Sequence, residues 1–289
     1  MPPQNLKGTV ALVTGASRGL GRAFALDLAK QGAAVGMLAR NAGELADAVA
    51  EAQASGGQAL AVPADVTDMA SVERSVLAVS RTFGPVNLLV NAAGACTQAI
   101  GETWKLDISD WWRIFEVNIK GSQICFNAVV PGMIEAQRGR IIHVASSTVM
   151  HNRPRMSAYV ASKTALIKLS ELEAEELRPY GLAVFAVHPG TVRTEMSGGL
   201  IASGMFDWLK DIFDQGMDDT MAQGCDLISY LASGKADDLS GCFFPVPLSP
   251  EILVQHAPDI LKKHLQVLSL NLLPEAQRAL TRPAPSLGA

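Results

Sequence analysis

The chain has 289 residues, of which 48% are hydrophobic and 18% charged, and its formal net charge is −4. This content suits one domain with a sizeable core, and the absence of a basic run argues against a nucleic-acid partner. The four cysteines are scattered without metal-ligand spacing, which predicts a reducing compartment and no metal site. No signal-peptide core and no apolar run of the ~18 residues that span a membrane are present, so we expect a soluble, cytoplasmic protein without a membrane partner.

Short apolar runs alternate with longer helical patterns along the chain. The runs predict strands at residues 9–13, 33–39, 59–63, 87–91, 139–145, 182–188 and 242–246. The 3.6-residue patterns predict helices at residues 20–31, 42–55, 69–83, 107–131 and 157–178. This alternation is typical of an α/β fold, a Rossmann-like doubly wound parallel sheet of about seven strands with helices on both faces.

We expect one domain over residues 1–248, because neither a repeat nor a low-complexity linker interrupts it. Residues 249–289 are predicted to be a C-terminal extension that is partly helical, since apolar residues recur at helical spacing from Ile260 to Leu272. In doubly wound sheets, ligands bind at the carboxyl ends of strands where the winding reverses. The loops that follow strands are therefore the places to look for functional residues.

The first such loop is glycine-rich and reads TGASRGLG, from Thr14 to Gly21. Glycine permits a tight turn and lets the backbone approach a phosphate, while the following helix offers free N–H groups at its amino end. An ordinary strand–helix turn could have the same composition. The position between the first strand and the first helix nevertheless predicts a phosphate-binding turn.

Four further motifs follow in order. They are NAAG at 91–94, Asn118 in the first long helix, Ser146 thirteen residues before YVASK at 159–163, and Pro189-Gly190 after the sixth strand. Together with the G-x-x-x-G-x-G turn, they resemble the short-chain dehydrogenase/reductase family over roughly residues 7–246. The resemblance implies a dinucleotide-binding and catalytic domain with a substrate lid at about 195–224.

The end of the second strand bears on the choice of cofactor. A carboxylate there would hold the ribose 2′-hydroxyl of NAD, but the chain has Ala39 followed by Arg40, with Arg18 inside the glycine turn. Two guanidinium groups suit a 2′-phosphate, although Arg40 could also be an ordinary surface residue. We therefore predict NADP(H).

The resemblance implies further cofactor contacts. It assigns Asp65 and Val66 to the adenine, Asn91 and Gly94 to the ribose, and Val192 and Thr194 to the nicotinamide carboxamide. The remaining residues implied to contact the cofactor are Gly15, Ser17, Gly19, Leu20, Gly21, Ala92, Tyr159, Lys163, Pro189 and Gly190.

The predicted catalytic residues are Ser146, Tyr159 and Lys163. Tyr159 and Lys163 lie four residues apart and so project from one face of a helix. An ammonium beside a phenol favours the phenolate, so we expect Lys163 to lower the pKa of Tyr159, which would then serve as the general acid/base. Ser146 can hydrogen-bond the same substrate oxygen while hydride moves between substrate and nicotinamide. The resemblance implies that Asn118 holds a water in a proton relay to the lysine.

The predicted reaction interconverts a ketone and a secondary alcohol. The bulky apolar residues of the lid either pack it on the domain or favour a hydrophobic, ring-containing substrate. Arg153 and Arg155 are compatible with an acidic substituent on that substrate. Of the histidines, His143 and His188 are expected to be structural, whereas His151 could touch substrate.

The alternatives to this reaction are enoyl reduction, epimerisation or a non-catalytic role as an NADP(H)-binding sensor. The expected assembly is a homodimer through the two long helices, or a homotetramer.

Overall fold

The computed structural model describes residues 2–269. Seven strands form one sheet in the order β3-β2-β1-β4-β5-β6-β7, and every neighbouring pair is parallel. The strands are β1 Val10–Thr14, β2 Ala34–Ala39, β3 Gln58–Pro63, β4 Leu88–Asn91, β5 Arg140–Val144, β6 Ala183–His188 and β7 Phe243–Pro245. The predicted doubly wound α/β fold is confirmed.

Helices cover both faces of this sheet. They are α1 Gly19–Lys30, α2 Ala42–Ala54, α3 Met69–Phe83, α4 Ile108–Phe115, α5 Gly121–Ala136, α6 Ser157–Leu177, α7 Glu195–Ala202, α8 Asp207–Asp214, α9 Met221–Ala232, α10 Pro250–Gln255 and α11 Ala257–Lys263. Because both faces are covered, the central strands are buried along their length and lack polar alternation. None of the helices described is both long enough and apolar enough to cross a membrane.

The long helix predicted over residues 107–131 is wrong in two respects. It is divided by one π-helical segment, Glu116–Lys120, between α4 and α5. It also passes Pro131 and ends only at Ala136, where Gln137 takes a left-handed conformation with φ 47°. Proline lacks an N–H and weakens a helix, but the packed face of α5, with Val129, Val130 and Met133 buried, carries the helix past it.

Helix α9 is a feature that the sequence patterns did not predict. Its first turn is fixed by a capping box between Thr220 and Gln223. Its apolar residues, including Ile228 and Leu231, are buried in the same core cluster as Phe24 and Leu28 of α1. Residues 221–224, which we had assigned to the lid, are therefore part of a helix that covers the sheet.

The extension starts as two short helices that pack on the domain. Leu253 of α10 and Ile260 of α11 are buried in the core cluster that also holds Phe244. The helical periodicity predicted from Ile260 fails after Lys263, because His264 adopts a left-handed conformation with φ 50°. Residues 270–272 of that prediction lie outside the described residues.

Candidate active site

A cleft of about 570 Å³ opens at the carboxyl ends of β1, β2 and β4. The strand order reverses between β1 and β4, which is where ligands bind in doubly wound sheets. Its walls are the glycine turn, the ends of β2 and β3, the NAAG loop and the start of α7. Of the predicted contacts, the lining includes Gly15, Ser17, Arg18, Gly19, Leu20, Gly21, Arg40, Asp65, Val66, Ala92, Gly94 and Thr194.

The glycine turn has no room for side chains. A Cβ on Gly21 would lie 2.3 Å from the carbonyl oxygen of Gly15, and one on Gly15 would lie 2.9 Å from the Cα of Ala93. Gly15 and Gly19 also have positive φ, 66° and 57°. Helix α1 begins without a side-chain cap and without an acidic residue in its first turn. Its free N–H groups and positive dipole end therefore suit a phosphate, so the turn fits a dinucleotide.

Each arginine at the mouth of the cleft has a carboxylate near it. The exposed Arg40 lies 4.0 Å from Asp65, and Arg18 forms an ion pair with Glu195 at the start of α7. Glu44 lines the same cleft. Sequence reasoning missed Glu44 and Glu195 as cleft residues. For Glu195, no spacing rule indicates a contact with Arg18, which is 177 positions away.

Asp65 is held at the end of β3 by several partners. Its Oδ1 accepts hydrogen bonds from the backbone N–H and hydroxyl of Thr67, at 2.9 and 2.8 Å, and Arg113 lies 3.6 Å from Oδ2. Burial alone would raise the pKa of Asp65, but these hydrogen bonds and the two arginines bring it below its usual value. Asp65 is therefore a fixed negative charge in the cleft.

Asn91 is not among the residues that line the cleft, and its contact with the ribose stays a prediction. Its buried amide nitrogen donates to the carbonyl of Ser122 at 3.2 Å and lies 3.2 Å from Nδ1 of His143. As a residue of β4 it points into the core beneath α5, and only the following NAAG residues reach the cleft. The side chain therefore links β4 to α5 and β5.

The predicted contacts after β6 divide in the same way. Thr194 lines the cleft and caps α7. Val192 is buried, with its carbonyl accepting from Ser197 at 3.0 Å, and Gly190, with φ 103°, lies against Asp219. Neither of these two residues nor Pro189 is part of the cleft lining described above.

Ser146, Tyr159 and Lys163 lie together beside the cleft. Ser146 is separated from the end of β5 by Ala145 and hydrogen-bonds the Tyr159 hydroxyl. Its Oγ also accepts from the backbone N–H and the hydroxyl of Thr148, at 3.2 and 3.0 Å. Lys163, one turn beyond Tyr159 on α6, has its Nζ 5.9 Å from the tyrosine ring centroid and donates to the Val144 carbonyl at 2.6 Å.

The predicted effect of Lys163 on Tyr159 is not seen in this structure. Burial raises the pKa of Tyr159, the neighbouring Cys96 adds to the rise, and only the Ser146 hydrogen bond lowers it. Burial also lowers the pKa of Lys163 to about 8, which reduces the fraction of this side chain that carries a positive charge. The reason is that the ammonium is itself desolvated and donates to a backbone carbonyl. In the protein alone Tyr159 is a protonated hydroxyl, the form that can act as an acid.

Asn118 lies in the π-helical segment and is fully buried. Its Oδ1 accepts from the Ala95 N–H at 2.8 Å, while Nδ2 donates to the Ala95 carbonyl and to Ser162 Oγ at 3.0 and 2.9 Å. A Cβ on Gly94 would lie 3.6 Å from Asn118 Oδ1 and 3.7 Å from Lys163 Nζ, so both groups approach this glycine from the side where a Cβ would lie. A π-helical turn adds a residue and re-aims side chains, which here turns Asn118 inward.

The histidines have different surroundings. His143 is buried and its Nε2 lies 2.9 Å from Glu173. His188 is bonded to Ser147 at 3.1 Å, and burial lowers its pKa to about 4. His151 is exposed in the loop that follows Ser146.

The lid helices α7 and α8 pack much of their apolar surface internally. The lid cluster consists of Leu200, Phe206, Leu209 and Phe213 together with Cys96 and Met156. Tyr159, Met196 and Trp208 are packed against this cluster. Residues of α7 and α8 therefore pack against the loops beside Tyr159.

Comparisons with known proteins agree with this arrangement. A family model described as short chain dehydrogenase matches residues 9–203. The chain is 36% identical over 264 residues to the short chain dehydrogenase pigC of Monascus ruber, covering 89% of this chain and 85% of that protein. It is 36% identical to a 3-oxoacyl-(acyl-carrier-protein) reductase of Synechocystis sp., covering 71% of this chain and 82% of that protein. A solved structure of NAD⁺-bound xylitol dehydrogenase has a TM-score of 0.77 and 28% identity, covering 84% of this chain and 98% of that chain.

Proposed function

Since the chain belongs to the short-chain dehydrogenase family, we propose that it interconverts a ketone and a secondary alcohol by NADP(H)-dependent hydride transfer, with Tyr159 as general acid/base. The observation that carries the proposal is the cluster of Ser146, Tyr159 and Lys163 beside a cleft whose glycine turn suits a dinucleotide. A sensor without turnover would not need this hydroxyl pair next to a buried lysine.

In the direction of reduction, the substrate carbonyl oxygen would accept hydrogen bonds from the hydroxyls of Ser146 and Tyr159. These two groups already hydrogen-bond each other, so one oxygen atom could contact both. A bound nicotinamide cofactor supplies the hydride. Tyr159 then gives its proton to the developing alkoxide, and its raised pKa keeps that proton available at neutral pH.

Lys163 and Asn118 would support the proton transfer. Lys163 is held by Val144 close to the tyrosine ring, where its partial charge favours the phenolate left after transfer. Asn118 Oδ1 and Lys163 Nζ both approach Gly94 on the side where a Cβ would lie. We propose that it fixes this wall of the site and positions a water that returns the proton.

The preference for NADP(H) rests on the end of β2. Ala39 lines the cleft where an NAD enzyme would carry a carboxylate, and Arg40 and Arg18 are both at its mouth. A 2′-phosphate would compete with Asp65 for Arg40 and with Glu195 for Arg18. Among the relatives, the xylitol dehydrogenase structure contains NAD⁺, so cofactor choice has to be measured for this chain.

The proposed substrate is a hydrophobic, ring-containing small molecule, because the apolar lid cluster adjoins Tyr159. The remaining parts of the proposal are a domain over residues 1–248, a cytoplasmic location and a homodimer or homotetramer. The carbonyl reaction is preferred to enoyl reduction or epimerisation because the serine, tyrosine and lysine are all present and adjacent.

The test is oxidation of NADPH and NADH against aliphatic, aromatic and polycyclic ketones, with Tyr159→Phe as the matched variant. We expect turnover with NADPH, weaker activity with NADH, and a loss of roughly 10²-fold or more in kcat for Tyr159→Phe with NADPH binding unchanged. Tight NADPH binding without turnover on any ketone, enone or epimerisable sugar would instead support the non-catalytic alternative.

A further inference from the structure

Arg153 lies in the loop between Ser146 and Tyr159 and is in contact with the lid. Its guanidinium carbon is 3.9 Å from the centroid of the Trp208 ring in α8. Trp208 is packed against the lid cluster, as is Tyr159. Arg153 is therefore fixed at the edge of the apolar cluster that adjoins the catalytic tyrosine.

The charge of Arg153 has no counter-charge in the part of the chain that the structure describes. Its side chain makes no hydrogen bond or ion pair there, and its buried Nε has no acceptor. Other arginines around the cleft and the lid are paired, namely Arg18 with Glu195, Arg113 with Asp65 and Glu116, and Arg193 with Asp218. A buried N–H without an acceptor is unfavourable and rare in native proteins, so the group calls for a ligand.

The second arginine of this loop is arranged differently. Arg155 is exposed, has φ 70° and ties the loop to Gly101 through its backbone carbonyl, at 2.9 Å. The carboxylates of α8, Asp207, Asp211 and Asp214, form no ion pair with Arg153 within the described residues, and Asp214 pairs with Lys210. Of the two arginines that the sequence left open, only Arg153 combines a buried donor with a rigid stacking partner.

We propose that Arg153 binds a carboxylate carried by the substrate, so that the substrate is an oxo acid, or the corresponding hydroxy acid, with an apolar body. This rests on the proposed ketone–alcohol function and narrows its substrate class. The planar guanidinium matches a carboxylate in a two-point hydrogen bond, and stacking on Trp208 fixes its orientation. The apolar body would lie against the lid cluster, between Arg153 and the hydroxyls of Ser146 and Tyr159.

The test compares two aryl ketones of nearly equal size, 4-acetylbenzoate and 4-acetylbenzamide, which differ in charge. Their binding to the full chain saturated with NADP⁺ is measured by titration calorimetry. We expect the acid to bind about tenfold to a hundredfold more tightly than the amide, a range typical of one charge-assisted contact. Arg153→Met should bring the two affinities together, Arg153→Lys should keep part of the difference, and the control Arg155→Asn should keep all of it.

Equal affinities for acid and amide in the wild type, or an unchanged preference in Arg153→Met, would overturn the inference. The Arg153→Lys variant guards against a folding defect, since it retains the charge and the aliphatic stem. Turnover of the amide by NADPH is measured separately. If the amide is reduced but the acid is not preferred, the inference about Arg153 fails and the proposed ketone reduction stands. If the acid binds more tightly but neither ketone supports NADPH oxidation, the proposed ketone reduction is contradicted and the inference about Arg153 is not.

Discussion

At the scale of a single residue, the buried ammonium of Lys163 beside Tyr159 should lower the stability of the fold. Its ammonium is buried and is held by one backbone carbonyl, and burial lowers its pKa from 10.5 to about 8. A lowered lysine pKa means that the folded chain binds a proton less readily than the unfolded chain. Between pH 8 and about 10.5, stability should therefore rise with pH on account of this group.

Replacing Lys163 by Met tests that linkage. The variant should lose turnover but gain stability at pH 7, by an amount on the order of 3 kcal/mol, because the cost of burying a charge disappears. Urea unfolding of both proteins at pH 7 and pH 10, without cofactor, measures the difference. The difference in the free energy of unfolding between the two proteins should be smaller at pH 10 than at pH 7. If the variant is less stable than wild type at pH 7, the buried ammonium stabilises the fold and this prediction is wrong.

The end of β2 gives a second prediction at this scale. The double substitution Ala39→Asp with Arg40→Ala removes the cation that we propose binds the 2′-phosphate and adds an acceptor for a ribose hydroxyl. We expect the ratio of kcat/KM for NADPH over NADH to fall by about 10²-fold or more, with inversion of the preference. Initial rates with both cofactors on one ketone measure it. An unchanged NADPH preference would mean that Arg18 or another group selects the cofactor.

At the scale of elements, a buried pair joins the strand before Ser146 to the helix that carries Tyr159. His143 of β5 lies 2.9 Å from Glu173 of α6 through Nε2, and its Nδ1 meets Asn91 of β4. The second carboxyl oxygen of Glu173 has no partner among the described residues. The pair therefore ties β5 to α6, and we expect its disruption to lower the stability of the fold.

His143→Ala should destabilise the protein by about 3 kcal/mol or more, because it leaves a cavity and deprives Glu173 of its hydrogen-bond partner. Chemical denaturation with fluorescence detection gives the free energy of unfolding. His151→Ala, at an exposed position, is the matched control and should change it by no more than about 0.5 kcal/mol. A similar small change for His143→Ala would contradict the structural role.

The elements predicted well are those whose signal is local. Helix α3 was predicted with its observed ends, because Asp68 caps its start and Gly84 ends it. Helix α9 was missed because its first residues fall inside the stretch assigned to the lid, although Gly216 and the capping residue Thr220 mark its start. The π-helical segment, the inward turn of Asn91 and the Arg18–Glu195 pair depend on contacts between distant parts of the chain, which periodicity does not report. The pKa of Tyr159 was also mispredicted, because it depends mainly on burial of the hydroxyl and not on the four-residue spacing to Lys163.

At the scale of the whole molecule, the sheet edge at β7 is covered by the chain that follows it. The Phe243 N–H donates to the Gln266 carbonyl at 2.7 Å, while Leu253 and Ile260 fill the core beside it. Covering an edge strand prevents pairing with another chain. We therefore propose that the start of the extension stabilises the domain rather than forming a unit of its own.

Helix α6 offers a candidate dimer interface, because Ala161, Ala165 and Leu172 are exposed along one side of it. We expect a homodimer that buries this side, and Ala165→Glu should convert it to monomer by placing a charge in the contact. Sedimentation velocity gives the mass in solution. Leu77→Glu, on the exposed side of α3, is the control and should leave the dimer intact. A dimer that survives Ala165→Glu would exclude this face.

The central claim is that hydride passes between a substrate carbon and the cofactor held in the β1–β4 cleft, with Tyr159 supplying the proton. The most direct measurement uses NADPH deuterated at C4, the best ketone of the panel, and mass spectrometry of the alcohol formed by wild type and Tyr159→Phe. The account predicts one deuterium on the carbinol carbon with wild type and at least about 10²-fold less product with the variant. An alcohol without deuterium from either C4 face, or equal product from Tyr159→Phe, would contradict it.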